Sequence, residues 1–364
     1  MRGYQQLWHH HHQQQQQQQR PLLAHEWIVD GRITSSRGGE KRKEREVIIF
    51  LHGLLGNAKN LRTPAKILTR RLPQYDALLL DVRGHGGSSS SSHSIAGNSL
   101  FTRPHNIQSC VQDVIETLLH LGLCGHDASP SIICGHSLGG RIALHYTHSL
   151  LHHTESTSRI QSPKQTWILD SVPGIADPSV SKVLSAISSL TTAMTPSSSS
   201  SATASVPTKI KSQISTKLVD EYGLDIQIAT WIVSSLRAID EQSQRLIWTF
   251  DIDIAMELVK NFTEQDMVGM IREVVESSSK STITAAKDNN HAADAEHSKV
   301  VQLVMAGKNE SWTERIISEL HTIQSSSHRT PSSSFKMHKL EKAGHWVHVD
   351  DLDGLMQLMV DELR

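Results

Sequence analysis

The pentapeptide GHSLG at residues 135–139 limits the folds open to this chain more than any other feature, because it demands a particular turn. An apolar run precedes it at residues 131–134, and helix-like sequence follows at residues 140–146. Glycines on both sides of Ser137 let backbone segments crowd together, so the turn can hold the serine in a strained conformation. Strand, sharp turn and helix in this order predict a nucleophile elbow, which projects a serine hydroxyl above the edge of a sheet.

Further blocks extend this pattern along the chain. The apolar run at residues 47–51 predicts a strand buried on both faces of a parallel sheet, and HGLLG follows it directly. A second such run at residues 77–80 leads into DVRGHGGS, and strand-like residues 335–340 precede GHW at residues 344–346. Serine first and histidine last is the chain order of α/β-hydrolases. Strands that alternate with helices predict a mostly parallel, doubly wound sheet with functional groups at the carboxyl ends of its strands.

These blocks resemble the α/β-hydrolase superfamily, and within it the small acyl-esterase group of bacterial short-chain esterases and abhydrolase-domain-11-like proteins. The closer likeness lies in HGLLGN (52–57), GHSLGGR (135–141) and AGHWVHVD (343–350). It covers roughly residues 45–180 and 299–361, with a weaker likeness to that group's cap between them. The resemblance implies an α/β-hydrolase fold with a helical cap inserted after the sixth strand.

The motifs predict that Ser137 is the nucleophile and that His345 is the base, which takes the serine proton and later protonates the leaving group. The chain has 23 histidines, so what selects His345 is its place on a glycine-preceded loop after the last strand. His348, three residues further on, is the competing histidine. His136 is expected to pack beside the elbow.

The oxyanion hole should consist of backbone donors, because an α/β-hydrolase stabilises the developing negative charge with N–H groups. We predict that these donors come from Leu138, which follows the nucleophile, and from Leu54 in the loop after the first buried strand. In this fold, His52 braces that loop, so it belongs with the oxyanion and substrate-binding residues.

Three carboxylates compete to be the acid that holds the imidazole in its productive tautomer. Glu310 lies three residues after Gly307 at the end of the penultimate strand, the usual superfamily place. Asp170 lies at the end of the preceding strand, where the resembled esterase group can also place its acid, and Asp253 looks equivalent to an aspartate sometimes assigned this role. We take Asp170 as the acid and keep Glu310 and Asp253 as alternatives; a purely structural Asp170 would cap the turn that follows it.

Low-complexity segments account for the length beyond a bare α/β-hydrolase core. Such segments bury too little apolar surface to offset their chain entropy. We predict a low-complexity N-terminal segment (1–24), a core in two parts (25–172 and 298–364), a helical cap with a Ser-rich insertion (173–276) and a polar loop insertion (277–297).

The composition excludes some classes of binding partner and indicates the cellular compartment. The net charge of −1 is well mixed, so nothing indicates nucleic acid or an anionic membrane surface. No apolar run reaches the roughly 18 residues of a membrane span. The three cysteines lack a metal-site spacing, and free thiols in an intracellular compartment, the cytoplasm or an organelle such as the mitochondrion, are the expectation. The oligomeric state is left open.

We therefore expect hydrolysis of small-molecule carboxylic esters or thioesters through an acyl-serine, without a metal or a cofactor. Acyl transfer and C–C bond hydrolysis are alternatives that would use the same serine. They would differ from ester hydrolysis in the access of water to the pocket and in the leaving group. The alternative from another functional class is a catalytically silent protein of the α/β-hydrolase fold that binds a partner. Aromatic residues make up only 4% of the chain, which favours a small aliphatic acyl group over a sugar, and Trp231 or Trp248 of the cap could line its pocket.

Overall fold

The structure, a computed structural model, describes residues 20–38, 45–89, 100–126, 128–152, 159–174, 178–193, 208–238, 246–285, 299–327 and 333–364. Strands and helices alternate along these ranges. The strands are β1 (His25–Val29), β2 (Arg32–Thr34), β3 (Glu46–Leu51), β4 (Tyr75–Leu80), β5 (Ile132–His136), β6 (Gln165–Leu169), β7 (Leu236–Ala238), β8 (Leu246–Trp248), β9 (Lys299–Ala306) and β10 (Ser333–Leu340). The helices are α1 (Arg62–Arg71), α2 (Ile107–His120), α3 (Leu138–Ser149), α4 (Pro178–Ala193), α5 (Thr208–Asp220), α6 (Ile226–Ser234), α7 (Ile252–Lys260), α8 (Met267–Ala285), α9 (Glu314–Ser327), α10 (Val347–Asp350) and α11 (Leu352–Leu363).

An eight-stranded sheet runs through the core in the order β10-β9-β6-β5-β3-β4-β1-β2. All neighbours from β10 to β4 are parallel, whereas β1 is antiparallel to both β4 and β2. The prediction of a mostly parallel sheet is confirmed.

Helices cover both faces of this sheet, which explains why its strands are continuously apolar. Val47, Ile49 and Leu51 of β3 belong to a buried cluster with residues of α2 and α3. Ile48 and Phe50, which point the other way, belong to a cluster with residues of α1 and α11. Side chains alternate between the two faces of a strand, so a strand covered on both sides needs an apolar residue at every position.

The sheet order brings the functional segments together at one edge. Strands β10, β9, β6, β5 and β3 are consecutive neighbours, and being parallel they end at the same side. Leu54 follows β3, Ser137 follows β5, Asp170 follows β6 and His345 follows β10. Residues more than 200 positions apart in the chain are therefore neighbours in space.

Between β6 and β9 the chain forms helices α4 to α8 and an antiparallel ribbon of β7 and β8. Helices α4 to α7 and the ribbon share a buried cluster, which includes Ile187, Leu218 and Ile232 and also takes in Leu55 from the core. Helix α8 packs instead on β6 and β9 of the sheet. The predicted helical cap is thus mainly helical, but Leu246–Trp248 within it forms a short strand. Three consecutive apolar residues carry no periodicity that separates a strand from a helix.

Two predicted segment boundaries differ from the structure. Helix α8 continues to Ala285, into the segment predicted as a polar loop from residue 277. Its first half is anchored by buried Ile271 and Val274, and a helix can propagate beyond its packed turns. At the other end of the chain, Leu23 of the predicted N-terminal segment is buried in the core, and its N–H donates to Thr117.

The three cysteines are free, as expected, and they differ in burial. Cys110 and Cys134 are free and buried, while Cys124 is free and half-buried. Within the described ranges, no helix combines the length and the hydrophobicity that crossing a bilayer would require.

Glycines at the elbow are required by close backbone approach. A Cβ on Gly135 would lie 2.0 Å from the carbonyl oxygen of Gly139, and a Cβ on Gly139 would lie 2.2 Å from the carbonyl oxygen of Leu51. Both obstacles are backbone atoms of the central strands and the elbow helix, which cannot move aside cheaply.

We expect Gly135→Ala to lower the free energy of unfolding by about 3 kcal/mol, the upper range for an overpacked core. Gly122→Ala is the control, because a Cβ there meets nothing within 4 Å and only the positive φ of 69° opposes it. That strain costs about 1 kcal/mol. Urea unfolding of both variants checks the difference, and equal losses would contradict the account.

Candidate active site

A cavity of about 450 Å³ lies at the carboxyl edge of the sheet. Its lining includes Ser137, Asp170 and His345, together with Leu54 from the loop after β3. Helices α4 and α6 close it from the cap side with residues such as Trp231. The structure therefore brings together the side chains predicted as nucleophile, base and acid.

Ser137 occupies a strained backbone conformation, with φ 53° and ψ −115°. A positive φ is costly for any residue with a Cβ, so surrounding bonds must hold it. The Ser137 N–H donates to the carbonyl of Leu169 at 2.9 Å, and its own carbonyl accepts from Gly140 N–H and from the Ser171 hydroxyl. These bonds fix the serine between the end of β5 and the start of α3, as an elbow requires.

Asp170 is almost completely buried and accepts four hydrogen bonds. Its Oδ1 accepts from the Ala306 N–H at 2.9 Å and from the Trp312 indole at 2.6 Å. Its Oδ2 accepts from the Asn309 amide at 2.7 Å and from His345 Nδ1 at 2.8 Å. Since the other three partners can only donate, the carboxyl group acts as an acceptor, and His345 carries its proton on Nδ1.

The alternative acids lie elsewhere. Glu310 is exposed to solvent next to Asn309, and Asp253 is exposed in the first turn of α7. Neither of these two described residues lines the cavity. The loop after β9 thus supplies donors to Asp170 in place of the acid that its position suggests.

Sequence reasoning missed Asn309 and Trp312, which both bind Asp170 from that loop. Their position in the sequence could have indicated this role, because the prediction of Glu310 as an alternative acid already placed the loop after β9 close to the site. Which of several adjacent side chains turns inward depends on the turn, and composition does not reveal it.

His136 packs against His345, and His348 packs in turn on His136. The His136 ring lies 4.8 Å from the His345 ring, and its Nε2–H donates to the His345 backbone carbonyl at 2.8 Å. His348 packs on His136 at 4.6 Å. Burial, with the neighbouring His348 and His345, holds the pKa of His136 well below its usual range. Burial likewise lowers the pKa of His348 to about 4, so both rings are neutral at pH 7.

Of the two predicted oxyanion donors, Leu138 follows Ser137 directly and Leu54 lines the same cavity. Leu138 is the first residue of α3, so its N–H has no partner inside the helix. Its side chain is buried in the core and does not line the cavity, whereas Leu54 does line it. His52 Nδ1 donates to the Gly53 carbonyl at 2.7 Å, and His52 Nε2 accepts from the Val82 N–H at 2.9 Å. His52 therefore ties the loop after β3 to the loop after β4.

Two buried arginines hold the loops around the site. Arg83 makes a two-pronged ion pair with Asp113 at 2.6 and 2.8 Å, which ties the loop after β4 to α2. Arg141 on α3 lines the cavity and donates to the carbonyls of Val172 and Gly174 just beyond Asp170. Burial lowers the pKa of Arg141 to about 10, so it stays charged at pH 7.

The cap tryptophans have different environments. Trp231 lines the cavity and lies 5.5 Å from the ring of Trp346, the residue after His345. Trp248 is buried inside the cap, where its indole donates to the Thr191 hydroxyl at 2.7 Å. Trp231 can therefore contact a substrate, whereas Trp248 stabilises the cap.

Fold and cavity together are those of an α/β-hydrolase. A family model described as serine aminopeptidase, S33, matches residues 42–251, more than half of the sequence. The chain belongs to this family of hydrolases with the α/β-hydrolase fold.

Sequence relatives and solved structures agree with that assignment. A probable alcohol acetyltransferase of Saccharomyces cerevisiae is 37% identical over 29% of this chain and 27% of its own length. The sn-1-specific diacylglycerol lipase ABHD11 of Mus musculus is 30% identical over 34% of this chain and 32% of its own. The alignments thus span about a third or less of these relatives. A marine microorganism esterase structure, 18% identical, superposes with a TM-score of 0.56 over 93% of this chain and 98% of its own, and shows the same fold.

Acid should destabilise the protein through its buried histidines. Burial lowers the pKa of His52 to about 4, so the folded protein keeps this ring neutral while the unfolded chain binds a proton below about pH 6.5. The stability that neutral His52 contributes is complete above pH 6.5 and is lost as the pH falls toward 4. We expect His52→Gln to reduce the slope of unfolding free energy against pH by about 1.4 kcal/mol per unit between pH 4.5 and 6. Urea unfolding across that range measures both slopes, and identical slopes would refute the assignment.

Proposed function

We propose that the chain hydrolyses carboxylic esters or thioesters of small acyl groups through an acyl-serine formed on Ser137. The observation that carries the proposal is the 2.8 Å hydrogen bond from His345 Nδ1 to Asp170, inside the cavity that Ser137 also lines. Because Nδ1 of His345 donates to Asp170, Nε2 is the ring nitrogen of His345 that can accept a proton. A serine hydroxyl attacks an ester only when such a base removes its proton.

In the proposed reaction, Ser137 Oγ bonds to the acyl carbon as its proton passes to His345 Nε2. The tetrahedral intermediate then expels the alkoxide or thiolate, which takes that proton from the imidazolium. Water enters, gives a proton to His345 and attacks the acyl-serine, and the acid is released when Ser137 recovers its proton. The carboxylate of Asp170 stabilises the imidazolium in both halves.

The surroundings of His345 favour this cycle. His136 and His348 are neutral at pH 7, so neither opposes the positive charge that forms on His345. The His136 bond to the His345 carbonyl also holds the loop at a fixed height above the elbow. We assign the oxyanion hole to the N–H groups of Leu138 and Leu54.

The cavity suits a small acyl group. At about 450 Å³ it lies in the lower part of the range for small-molecule sites. Its walls include Val172, Val183 and Ile228 around the serine, with Trp231 and Trp346 as the large aromatic groups. An aliphatic acyl chain loses contact with water against such walls, which is favourable at about 25 cal/mol per Å² of apolar surface.

Acyl transfer is the second candidate, because the yeast relative carries the name of an alcohol acetyltransferase. The same acyl-serine would then react with an alcohol instead of water. If transfer operates, adding ethanol during turnover of p-nitrophenyl acetate should yield ethyl acetate at the expense of acetate, measured by gas chromatography. An acetate yield that does not change over a range of ethanol concentrations would show that the acyl group passes only to water, and acyl transfer to ethanol would be excluded.

Kinetics of carboxylate variants test the proposed triad. Asp170→Asn should lower kcat for p-nitrophenyl butyrate by about 10⁴-fold, because an amide in place of the carboxylate favours the wrong imidazole tautomer. Ser137→Ala should abolish turnover above background. Glu310→Gln and Asp253→Asn are the matched controls and should retain the parental kcat, since both side chains are exposed outside the cavity.

A large loss in either control variant, or full activity in Asp170→Asn, would overturn the assignment of the acid. Running acetate, butyrate and octanoate esters in parallel gives the acyl-length preference. We expect the shorter two to be turned over best.

A further inference from the structure

A cluster of metal-binding side chains lies on the opposite end of the elbow helix from Ser137. His148 is in the last turn of α3, His152 follows just beyond that helix, and Glu273 lies on α8. One ligand atom from each of these residues lies within 4.8 Å of the others. His148 lies eleven positions after Ser137, a rise of about 16 Å along the helix, and none of the three residues lines the cavity.

We propose that His148, His152 and Glu273 bind a divalent transition metal ion, with Zn²⁺ as the best fit. Two imidazole nitrogens and one carboxylate oxygen are a donor set that zinc prefers, and a water molecule would complete a tetrahedral shell. The two nitrogen ligands disfavour Mg²⁺ and Ca²⁺, which take oxygen ligands.

The geometry is close to what a zinc ion needs. His148 Nε2 and Glu273 Oε2 are already 2.7 Å apart, and the rings of His148 and His152 are 5.2 Å apart. Ligand atoms around a tetrahedral zinc ion are about 3.4 Å from one another, given bonds of about 2.0 to 2.1 Å. The His148–Glu273 pair must therefore open slightly and the wider gaps must close, which the exposed side chains of His152 and Glu273 can do by rotation.

The backbone that carries these ligands is well anchored. Leu144 of α3 and Ile271 and Val274 of α8 share one buried cluster, so the two helices are fixed relative to each other. The C-terminal end of α3 also carries the negative end of the helix dipole, which favours a cation.

A bound ion would join the end of α3 to α8. Because α3 begins at the nucleophile elbow, the ion would brace the helix that supports Ser137 without touching the reacting atoms. This role is independent of the proposed esterase function.

The test must remove a competing site, since the sequence contains four consecutive histidines, His9 to His12, that would themselves bind metal. The parent for the experiment is therefore the full chain with these four residues changed to serine. Isothermal titration with ZnCl₂ should give one equivalent of bound Zn²⁺ in the parent. His148→Ala and Glu273→Gln should each weaken that binding by more than about tenfold.

Matched control variants are His321→Ala and Glu276→Gln, which change an exposed histidine on α9 and an exposed glutamate on α8 near Glu273. Both should bind Zn²⁺ like the parent. Zinc should raise the Tm of the parent and of the controls but not of the site variants. The metal-free Tm and the ester turnover of all variants should match the parent, which shows that they fold.

Absence of zinc binding by the parent would overturn the proposal. So would equal zinc affinity in the parent and in both site variants, because the ion would then bind elsewhere.

Discussion

The buried carboxylate of Asp170 is the constraint around which the candidate active site is arranged. A buried charge costs several kcal/mol unless donors surround it. Here the donors come from the end of β9, from the loop after it and from the loop after β10. One carboxylate therefore fixes three segments at the sheet edge, and the segment after β10 carries His345. Loss of the charge would affect loop packing as well as the orientation of the imidazole.

Strain at the elbow complements this bonding. Ser137 and Asp170 both have positive φ, and each is held by a hydrogen bond from its N–H to the neighbouring strand. Gly135 and Gly139 allow α3 to start directly against the ends of the central strands. The cost of these conformations is offset by the apolar burial on both faces of the sheet. Both groups are consequently oriented before any substrate arrives.

Sequence alone could predict the sheet and the elbow because both have strong local signatures. Strands buried on two faces are continuously apolar, and the turn at Ser137 requires glycines at fixed positions. The choice of acid was open because Asp170 and Glu310 both follow strands, and only the folded loop shows that Asn309 and Trp312 turn inward while Glu310 faces solvent. The ribbon of β7 and β8 was missed for a related reason, since three-residue strands carry no usable period. The cluster of His148, His152 and Glu273 could not be predicted from a sequence motif, because Glu273 is more than 100 positions from the two histidines.

The central claim is that Ser137, activated through His345 and Asp170, is the nucleophile. Labelling with a fluorophosphonate probe, followed by tandem mass spectrometry of the digested protein, tests it most directly, because the probe bonds covalently to an activated serine. The account predicts a single adduct on Ser137, formed rapidly in the native chain and far more slowly in Asp170→Asn. A folded protein that takes up no label, as a silent binding protein would, or an adduct on a different serine would contradict it.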